Sequence, residues 1–310
     1  MSVSCPLCGG QAPFLMSGRD QFYAVTDYVA HLYRCLACGT LCQHPVPDRA
    51  TIAAFYPKGY WQETRGPKGL MARLQQTYID WMLRTDLMAW IAAMNLPRGQ
   101  RLLDVGCSRG DWLDKIRTAG YRVAGLEADP RAAAYARSRY KLNVTEGDGD
   151  TWDPAPASFE AITCFHLLEH LRDPAGFLDK AYRALMPGGK LLVRVPHIGG
   201  LQAQLLGARW KGLELPRHLT HFTRKALTDL LQQKGFVPDR VSTWALRDGP
   251  ACFASSLFRR GEPTWQQIHG RPSAPATLVY LGLTWLLTPL EAAAALTGYG
   301  SMLTVLATRD

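Results

Sequence analysis

The chain has 310 residues, of which 47% are hydrophobic and 20% are charged. This balance excludes an intrinsically disordered chain, and the length suits one large domain or a core domain with a small satellite. The formal net charge is +9, but no run of five Lys or Arg residues is present, which favours positive charge spread over the whole surface.

The N-terminal region is dominated by paired cysteines. The first residues, MSVSCPLCGG, lack the apolar core of a signal peptide, which predicts a cytoplasmic location. Two C-x-x-C pairs follow, Cys5 with Cys8 and Cys35 with Cys38, and each pair is followed by a glycine. Four thiolates suit tetrahedral zinc, and a closed shell of four cysteines predicts a structural metal site. A pair of unliganded or redox-active dithiols is the alternative.

The pattern of breakers and apolar residues predicts three regions. A zinc ribbon is expected over residues 1–48, which end in the Pro-rich stretch HPVPD. A helical linker or lid is expected over 49–98, because apolar residues recur at helical spacing from Leu70 to Ile91 before Pro97 and Gly99 stop the pattern. The core domain is expected over 99–310.

Strand and helix patterns alternate from Arg101 onward. Strands are predicted at RLLDVG (101–106), YRVAGLEA (121–128), KLNVTEGD (141–148), FEAITCFHLL (159–168) and KLLVRVP (190–196), with helices at 109–120, at 130–140 and at 173–189, the last ending at Pro187. SMLTVLAT (301–308) predicts one more strand. This alternation predicts an α/β fold with a doubly wound parallel sheet and helices on both faces.

An apolar segment interrupts the core domain near residues 272–299. No charged residue lies between Pro272 and Leu290, but Pro289 and Glu291 break the pattern, and the run 276–288 is too short to span a bilayer. We expect an apolar helical hairpin that covers the core, a dimer interface, or a pocket that admits an apolar substrate. Contact of residues 276–298 with a membrane surface is the alternative. The chain is accordingly expected to be a monomer or a homodimer.

A glycine-containing turn at LLDVGCSRGD (102–111) carries the clearest chemical signal. Asp104, Gly106 and Gly110 lie where the first strand turns into a helix. Glycines there let the backbone approach a ligand, and the start of the helix offers free N–H groups.

Two acids follow at the ends of the next two strands. Glu127 ends the second strand, where a carboxylate can accept hydrogen bonds from both hydroxyls of a ribose. Asp148 follows the third strand, between Gly147 and Gly149, where it can accept from an adenine amine. Together with the glycine turn, these acids predict a site for a nucleoside-containing ligand.

Over roughly residues 100–243 and the last strand, these motifs resemble the class I S-adenosylmethionine-dependent methyltransferases. The match rests on LLDVGCSRG (102–110), on Glu127 and on the GD at 147–148; Ser108 stands where that family usually has glycine. HLLEHLRDP (166–174), LPRHLTHFT (215–223) and FYPKGYW (55–61) resemble a subgroup with an N-terminal zinc ribbon that acts on small molecules in ubiquinone, sugar and natural-product pathways.

The resemblance implies S-adenosylmethionine as cofactor and a seven-stranded Rossmann-like sheet whose last strand is antiparallel. The cofactor-binding residues that it implies are Asp104, Gly106, Cys107, Gly110, Glu127, Ala128, Asp148, Gly149, Phe165 and His166.

Several histidines are candidates for a general base. Methyl transfer to a hydroxyl benefits from a base with a pKa near neutrality, which suits histidine. His166 follows the fourth strand, while His218 and His221 lie in the later connection, and Glu169 is placed to orient a neighbouring group. His166 and His221 are the preferred candidates, and the choice between them stays open.

Three other functions are alternatives to a small-molecule O- or C-methyltransferase. HLLEH (166–170) has the H-x-x-E-H pattern of a zinc protease, but a strand precedes it and Pro174 disfavours the required helix. An RNA methyltransferase would use the ribbon and basic surface to bind phosphates, but the fourth strand lacks an N-P-P-Y-like ending, which argues against nucleic acid. A ligand-binding relative without activity is the third alternative.

Overall fold

A computed structural model of the protein describes residues 2–56 and 70–310. The predicted motif FYPKGYW (55–61) therefore lies mostly outside the described residues. The strands are β1 (Ser2–Ser4), β2 (Gln11–Gly18), β3 (Ala30–Arg34), β4 (Leu41–Gln43), β5 (Arg101–Val105), β6 (Arg122–Glu127), β7 (Val144–Glu146), β8 (Phe159–Phe165), β9 (Leu185–Pro196), β10 (Thr220–His221), β11 (Phe236–Ser242) and β12 (Met302–Arg309). The α-helices are α1 (Arg49–Ala54), α2 (Leu70–Ala93), α3 (Asp111–Thr118), α4 (Pro130–Tyr140), α5 (Pro174–Ala184), α6 (Leu201–Leu206), α7 (Arg224–Gln233), α8 (Asp248–Leu257), α9 (Pro263–Ile268) and α10 (Ala274–Leu296).

The chain divides into two compact units. The first comprises Met1–Met82, Pro196–Ala226 and Ser242–Leu303, and the second comprises Leu83–Val195, Leu227–Val241 and Thr304–Asp310. The domain boundaries expected from the sequence near residues 48 and 98 stay a prediction.

The first unit contains a five-stranded sheet in the order β1-β2-β3-β4-β10. Its last strand comes from the LPRHLTHFT segment, because Thr220 and His221 pair antiparallel with Cys42 and Leu41 of β4. A buried cluster packs beside this sheet and includes Leu32, Leu41, Trp210 and Leu215. Residues remote in sequence therefore complete the fold of the cysteine-rich N-terminus.

The second unit is built on a seven-stranded sheet in the order β11-β12-β9-β8-β5-β6-β7. Its parallel neighbours are β5 with β6, β6 with β7, β5 with β8, and β8 with β9. The helices α3, α4 and α5 connect successive parallel strands. Because parallel strands end at the same edge of a sheet, the carboxyl ends of β5 through β8 meet there, where ligands of open α/β sheets bind.

The last strand, β12, runs antiparallel to β9. Lys190 Nζ donates to Thr308 Oγ1 at 2.6 Å, and Arg194 Nε donates to Thr304 Oγ1 at 2.9 Å. From Lys190 to Arg194 the residue numbers rise along β9, whereas the numbers of the bonded threonines fall from 308 to 304 along β12, as an antiparallel pair requires. The predicted α/β fold, with seven strands and an antiparallel last strand, is confirmed.

One predicted boundary was wrong. The helix expected over 173–189 ends at Ala184, and β9 already begins at Leu185. Gly188 has a φ of +74° in the left-handed region, and Pro187 has no N–H to donate, so neither residue continues a helix. The MPGG sequence (186–189) instead opens the strand.

The expected helical hairpin in the apolar segment was also wrong. Residues 274–296 form the single helix α10, which continues through Pro289. The proline is accommodated at an exposed position of the helix. In the described part of the chain, α10 alone has the length and apolar composition needed to cross a membrane, and 22% of its apolar stretch is buried.

Candidate active site

The loop after β5 has a left-handed backbone conformation at three positions. Gly106 and Gly110 both have a φ of +77°, and Ser108 has a φ of +49°. A Cβ on Gly110 would lie 2.7 Å from Leu142 Cδ1 and 2.9 Å from Ala136 Cβ. The loop therefore depends on glycine at its end both for its backbone conformation and for its packing against α4.

Glu127 lies at the carboxyl end of β6 and is buried. Its Oε2 accepts the Ser108 N–H at 2.7 Å, and its Oε1 accepts the Asp129 N–H at 2.8 Å. Burial raises the pKa of this carboxyl group, although the two N–H donors act in the opposite direction. Each carboxylate oxygen can accept more than one hydrogen bond, so the group can serve both the loop and a ligand with paired hydroxyls.

Asp104 is buried within the sheet, one residue before the carboxyl end of β5. Thr163 Oγ1 on the neighbouring strand β8 donates to Asp104 Oδ1 at 2.6 Å. Burial raises the pKa of Asp104 to about 7; the bond from Thr163 lowers it and the nearby charge of Glu127 raises it. This pair fixes β5 against β8 directly beneath the loop.

Cys107 is buried beneath the same loop. A Cβ on Gly125 would lie only 2.6 Å from the Cys107 Sγ, and the Cys107 N–H donates to Leu126 O at 3.2 Å. The side chain of Cys107 therefore packs against β6, and its backbone holds the loop to that strand.

The remaining predicted cofactor residues lie at the ends of β6, β7 and β8. Ala128 is exposed just after β6. Asp148 Oδ1 accepts hydrogen bonds from Thr151 N at 2.7 Å and from Thr151 Oγ1 at 2.9 Å, so it also caps a turn. Gly149 is buried, and a Cβ there would lie 3.1 Å from Leu171 and 3.2 Å from Phe177. Their contacts with S-adenosylmethionine stay a prediction.

His166 follows β8 and has a strained backbone. Its φ is +53°, a conformation that costs a non-glycine residue on the order of 1–3 kcal/mol and that often marks functional sites. Its imidazole Nδ1 lies 3.3 Å from Glu169 Oε1. The His166 side chain is 33% exposed while that of Glu169 is 1% exposed, so a buried carboxylate supports a partly accessible imidazole.

The HLLEH segment continues from that strand into the loop region. Leu167 Cδ1 lies 3.3 Å from the position of a Cβ on Gly106, so the segment packs on the glycine loop. Leu168–His170 form a single 3-10 turn. His166 and His170 therefore do not share an α-helix, and the zinc-protease interpretation lacks the helix on which it depends.

Sequence inspection missed three side chains around this site. Arg194 is buried and makes two hydrogen bonds to the Asp86 carboxylate, at 2.8 and 3.0 Å, while its guanidinium lies 5.7 Å from the centre of the Phe165 ring. Trp112 packs edge-on against Phe165 with ring centres 5.8 Å apart. The one available signal was a charged residue, Arg194, placed between Val193 and Val195 in the predicted strand KLLVRVP.

Trp112 also provides a test of whether the site is built for a ligand. Its indole Nε1 is buried and has no hydrogen-bond partner among the residues that the structure describes. A buried donor without an acceptor is costly. Together with the carboxylate of Glu127, this donor fits a polar ligand at the carboxyl edge of the sheet.

The four predicted zinc ligands come together in the first unit. Cys5 Sγ lies 3.8 Å from Cys38 Sγ, and Cys8 Sγ lies 3.5 Å from Cys35 Sγ; all four sulfur atoms lie within 4.8 Å of one another. A tetrahedral zinc ion with Zn–S bonds of about 2.3 Å separates its sulfur ligands by about 3.8 Å. Backbone N–H groups of both knuckles also point to Cys5 and Cys35. The donor set fits zinc.

His218 and His221 lie in the first unit and are buried. His218 Nδ1 lies 2.8 Å from Gly212 O, and His221 Nε2 lies 3.0 Å from Leu213 O. Both imidazoles thus bond to one turn of the backbone. A catalytic role for either histidine stays a prediction.

A buried ion pair anchors the same segment. Arg217 NH2 donates to Asp20 Oδ2 at 2.5 Å, and Arg217 Nε donates to Phe55 O at 3.0 Å. LPRHLTHFT therefore holds the first unit together.

Comparison with known proteins decides the family. A family described as "Methyltransferase domain" matches residues 73–241, more than half of the chain. The chain belongs to this methyltransferase domain family. A Mycolicibacterium smegmatis protein named as an S-adenosylmethionine-dependent methyltransferase is 32% identical over 139 residues, 44% of this chain and 52% of that protein. The chain thus spans about half the length of that relative.

Further relatives agree with this methyltransferase domain. The ubiquinone biosynthesis O-methyltransferase of Xylella fastidiosa is 26% identical over 63% of this chain and 75% of its own length. A chain from the Haloferax volcanii complex of the Trm112 methyltransferase activator with a candidate methyltransferase has a TM-score of 0.52 at 18% identity, over 77% of this chain and 95% of that chain. A candidate sarcosine dimethylglycine methyltransferase from Galdieria sulphuraria has a TM-score of 0.52 at 14% identity, over 78% and 89%. The two structures support the fold, and the relatives confirm an S-adenosylmethionine-dependent methyltransferase domain.

Proposed function

We propose that the protein methylates a hydroxyl group of a small-molecule acceptor, with His166 as the general base. The observation that carries this proposal is the partly accessible imidazole of His166 beside the buried carboxylate of Glu169, at the carboxyl end of β8. The name of the Xylella relative, an O-methyltransferase of ubiquinone biosynthesis, supports a small-molecule acceptor and an oxygen nucleophile. A cytoplasmic location stays a prediction.

The chain's own residues supply binding and proton transfer. Gly106, Gly110, Glu127 and Asp148 would hold the cofactor, and bound S-adenosylmethionine supplies an electrophilic methyl group. Glu169 accepts the Nδ1 proton of His166, which leaves Nε2 with a lone pair. The methyl donor would leave as S-adenosylhomocysteine, and the proton of the acceptor O–H would pass to Nε2 of His166.

The test pairs His166→Gln with His170→Gln on the adjoining turn. Release of S-adenosylhomocysteine would be followed with four acceptor classes: phenols, free sugars, nucleotide-linked sugars and RNA. With a small-molecule hydroxyl acceptor, we expect His166→Gln to lower kcat by about 10²–10³, with cofactor affinity unchanged and His170→Gln close to the natural protein. Unchanged kcat in His166→Gln would remove the base assignment, and methylation of RNA alone would remove the acceptor class.

We also propose that Cys5, Cys8, Cys35 and Cys38 bind one structural zinc ion. The sulfur separations and the knuckle N–H groups support it, and a closed shell of four thiolates leaves no position for catalysis. Elemental analysis should find one zinc per chain in the natural protein and less than one in Cys8→Ser. Cys252→Ser, a buried thiol elsewhere in the first unit, is the control and should retain the metal. A natural protein without zinc after growth in zinc-supplemented medium would contradict the proposal.

A further inference from the structure

The helix α10 has its polar residues inside and its apolar residues outside. Its buried positions include Thr284 and Glu291, and Glu291 is its only charged residue. The large apolar side chains on its exposed face are Leu278 (53% exposed), Val279 (55%), Trp285 (57%), Leu286 (74%), Leu290 (45%) and Leu296 (90%). Ordinary surface helices have the opposite arrangement.

The inward side of α10 is fixed to the first unit by specific bonds. Glu291 Oε1 accepts from Ser301 N at 2.7 Å and from Ser301 Oγ at 2.6 Å, and Glu291 Oε2 accepts from Gln202 Nε2 at 2.7 Å. The Tyr280 hydroxyl lies 3.4 Å from Ser255 Oγ on α8. These bonds define which face of α10 is turned outward, and they tie a helix that would otherwise be a candidate membrane span to the protein surface.

The outward face forms one continuous apolar stripe. The helix has 23 residues, so it is about 34 Å long and presents on the order of 350 Å² on one side. A stripe of this size is comparable to the largest apolar patch on a typical monomeric protein, and such patches are often functional. Two copies joined only through this face would bury about 700 Å² in total, less than the roughly 1,000 Å² expected of a stable interface.

Positive charge lies at the N-terminal end of the stripe. The turn Arg259–Gly261 contacts the start of α10, where a Cβ on Gly261 would lie 2.7 Å from Ala276 O. Arg259 and Arg260 are exposed on this turn, and Arg271 is exposed three residues before the helix. An uncharged apolar stripe bordered by arginines matches the anionic headgroups and acyl chains of a bilayer surface.

We propose that α10 docks the protein on an anionic membrane, lying in the plane of the interface. A spanning orientation would require apolar surface on every side of the helix, whereas one side of α10 is bonded to the first unit. The inserted side chains are those of the outward stripe, and Arg260 and Arg271 contact the lipid phosphates.

Vesicle sedimentation tests the proposal with the full chain. The natural protein should sediment with vesicles of phosphatidylcholine and phosphatidylglycerol (3:1) and at least tenfold less with phosphatidylcholine alone. Leu278→Gln/Leu286→Gln/Leu290→Gln should lower binding to the anionic vesicles at least tenfold. The matched control Leu15→Gln/Leu36→Gln/Leu205→Gln, which changes exposed leucines elsewhere in the first unit, should bind as the natural protein does.

Two further measurements separate the alternatives. Anionic vesicles should shift the tryptophan emission of the natural protein to shorter wavelength, and Trp285→Phe should reduce that shift. Circular dichroism and S-adenosylmethionine affinity should be the same in the stripe variant and in the control, which excludes misfolding. Equal sedimentation of both triple variants would overturn the proposal. So would light scattering that shows a dimer in the natural protein and a monomer in the stripe variant, without vesicle binding by either.

Discussion

The carboxylate of Glu127 ties the end of β6 to the glycine loop, because it accepts the Ser108 N–H at 2.7 Å. Its other oxygen accepts the Asp129 N–H at 2.8 Å, so the same group sets the position of the loop and of the start of α4. A ligand that bonds to Glu127 therefore contacts a group already held in place, and little ordering is needed when it binds.

Replacement of Glu127 by glutamine should weaken cofactor binding. The amide nitrogen of glutamine is a donor, so the backbone N–H of either Ser108 or Asp129 would lose its acceptor. The site would also lose its negative charge. We expect the Kd for S-adenosylmethionine, measured by calorimetry, to rise about 10- to 100-fold, or roughly 1.5–3 kcal/mol.

Glu146→Gln is the matched control, because Glu146 lies on the neighbouring strand β7 with its side chain 47% exposed. Its Kd should stay within twofold of the natural value. A Glu127→Gln variant that also bound within twofold would show that Glu127 does not contact the cofactor.

Gly110→Ala should destabilise the second unit by more than backbone strain alone. The residue has a φ of +77°, which costs alanine about 1 kcal/mol relative to glycine. The new methyl group would also overlap Leu142 and Ala136, and overpacking typically costs about 1–3 kcal/mol more. Denaturant unfolding should therefore show a loss of about 2–4 kcal/mol.

Gly188→Ala isolates the backbone contribution in the same unit. Gly188 has a φ of +74°, and a Cβ there would have no neighbour within 4 Å. This variant should lose only about 1 kcal/mol. Equal losses in the two variants would mean that α4 moves away and that its packing does not require glycine at position 110.

The features that can be recognised in the sequence are those with local signals. Gly106, Gly110 and Glu127 follow strands at fixed short spacings, and the cysteine pairs carry their own knuckle glycines, so each could be recognised without knowledge of the fold. The pairing of Arg194 with Asp86 spans 108 positions, and that of Arg217 with Asp20 spans 197. No local pattern records such a pair, because either side chain alone resembles an exposed charge.

The apolar segment shows why the hairpin prediction failed. Proline normally kinks or ends a helix, and a glutamate such as Glu291 is normally exposed to water. Here Glu291 is buried because Gln202 and Ser301 donate to its carboxylate, and Pro289 lies at an exposed position of the helix. Both partners of Glu291 are remote in sequence or lie beyond the end of the helix, so the local pattern predicted a break that tertiary contacts remove.

Asp104 should make stability depend on pH between about 4 and 7. Burial raises its folded-state pKa to about 7, whereas an unfolded aspartate has a pKa of about 3.9. Between those values the folded state binds more protons, so raising the pH lowers the free energy of unfolding, by at most on the order of 4 kcal/mol from this group. Above about pH 7 the contribution is constant.

Asp104→Asn removes this titration and keeps an oxygen that can accept from Thr163. The difference in unfolding free energy, variant minus natural protein, should therefore rise from pH 4.5 to pH 7 and then level off. Asp153→Asn is the control, because that side chain is 87% exposed, and its difference should be flat. A flat difference for Asp104→Asn would mean that Asp104 is ionised throughout this range.

The buried pair of Asp86 and Arg194 should contribute strongly to the stability of the second unit. Removal of one partner leaves a charge without its counterion in a dry interior, which typically costs about 3–5 kcal/mol. We expect a loss of this size in Asp86→Ala by denaturant unfolding. The double variant Asp86→Leu/Arg194→Met should recover most of the lost stability, because no buried charge remains.

The exposed pair of Arg101 with Glu160, whose side chains are 45% and 20% exposed, provides the reference, and Glu160→Gln should cost less than about 1 kcal/mol. If Asp86→Ala cost no more than Glu160→Gln, water would reach Arg194 and the pair would not be a buried support of the strand that leads into the site.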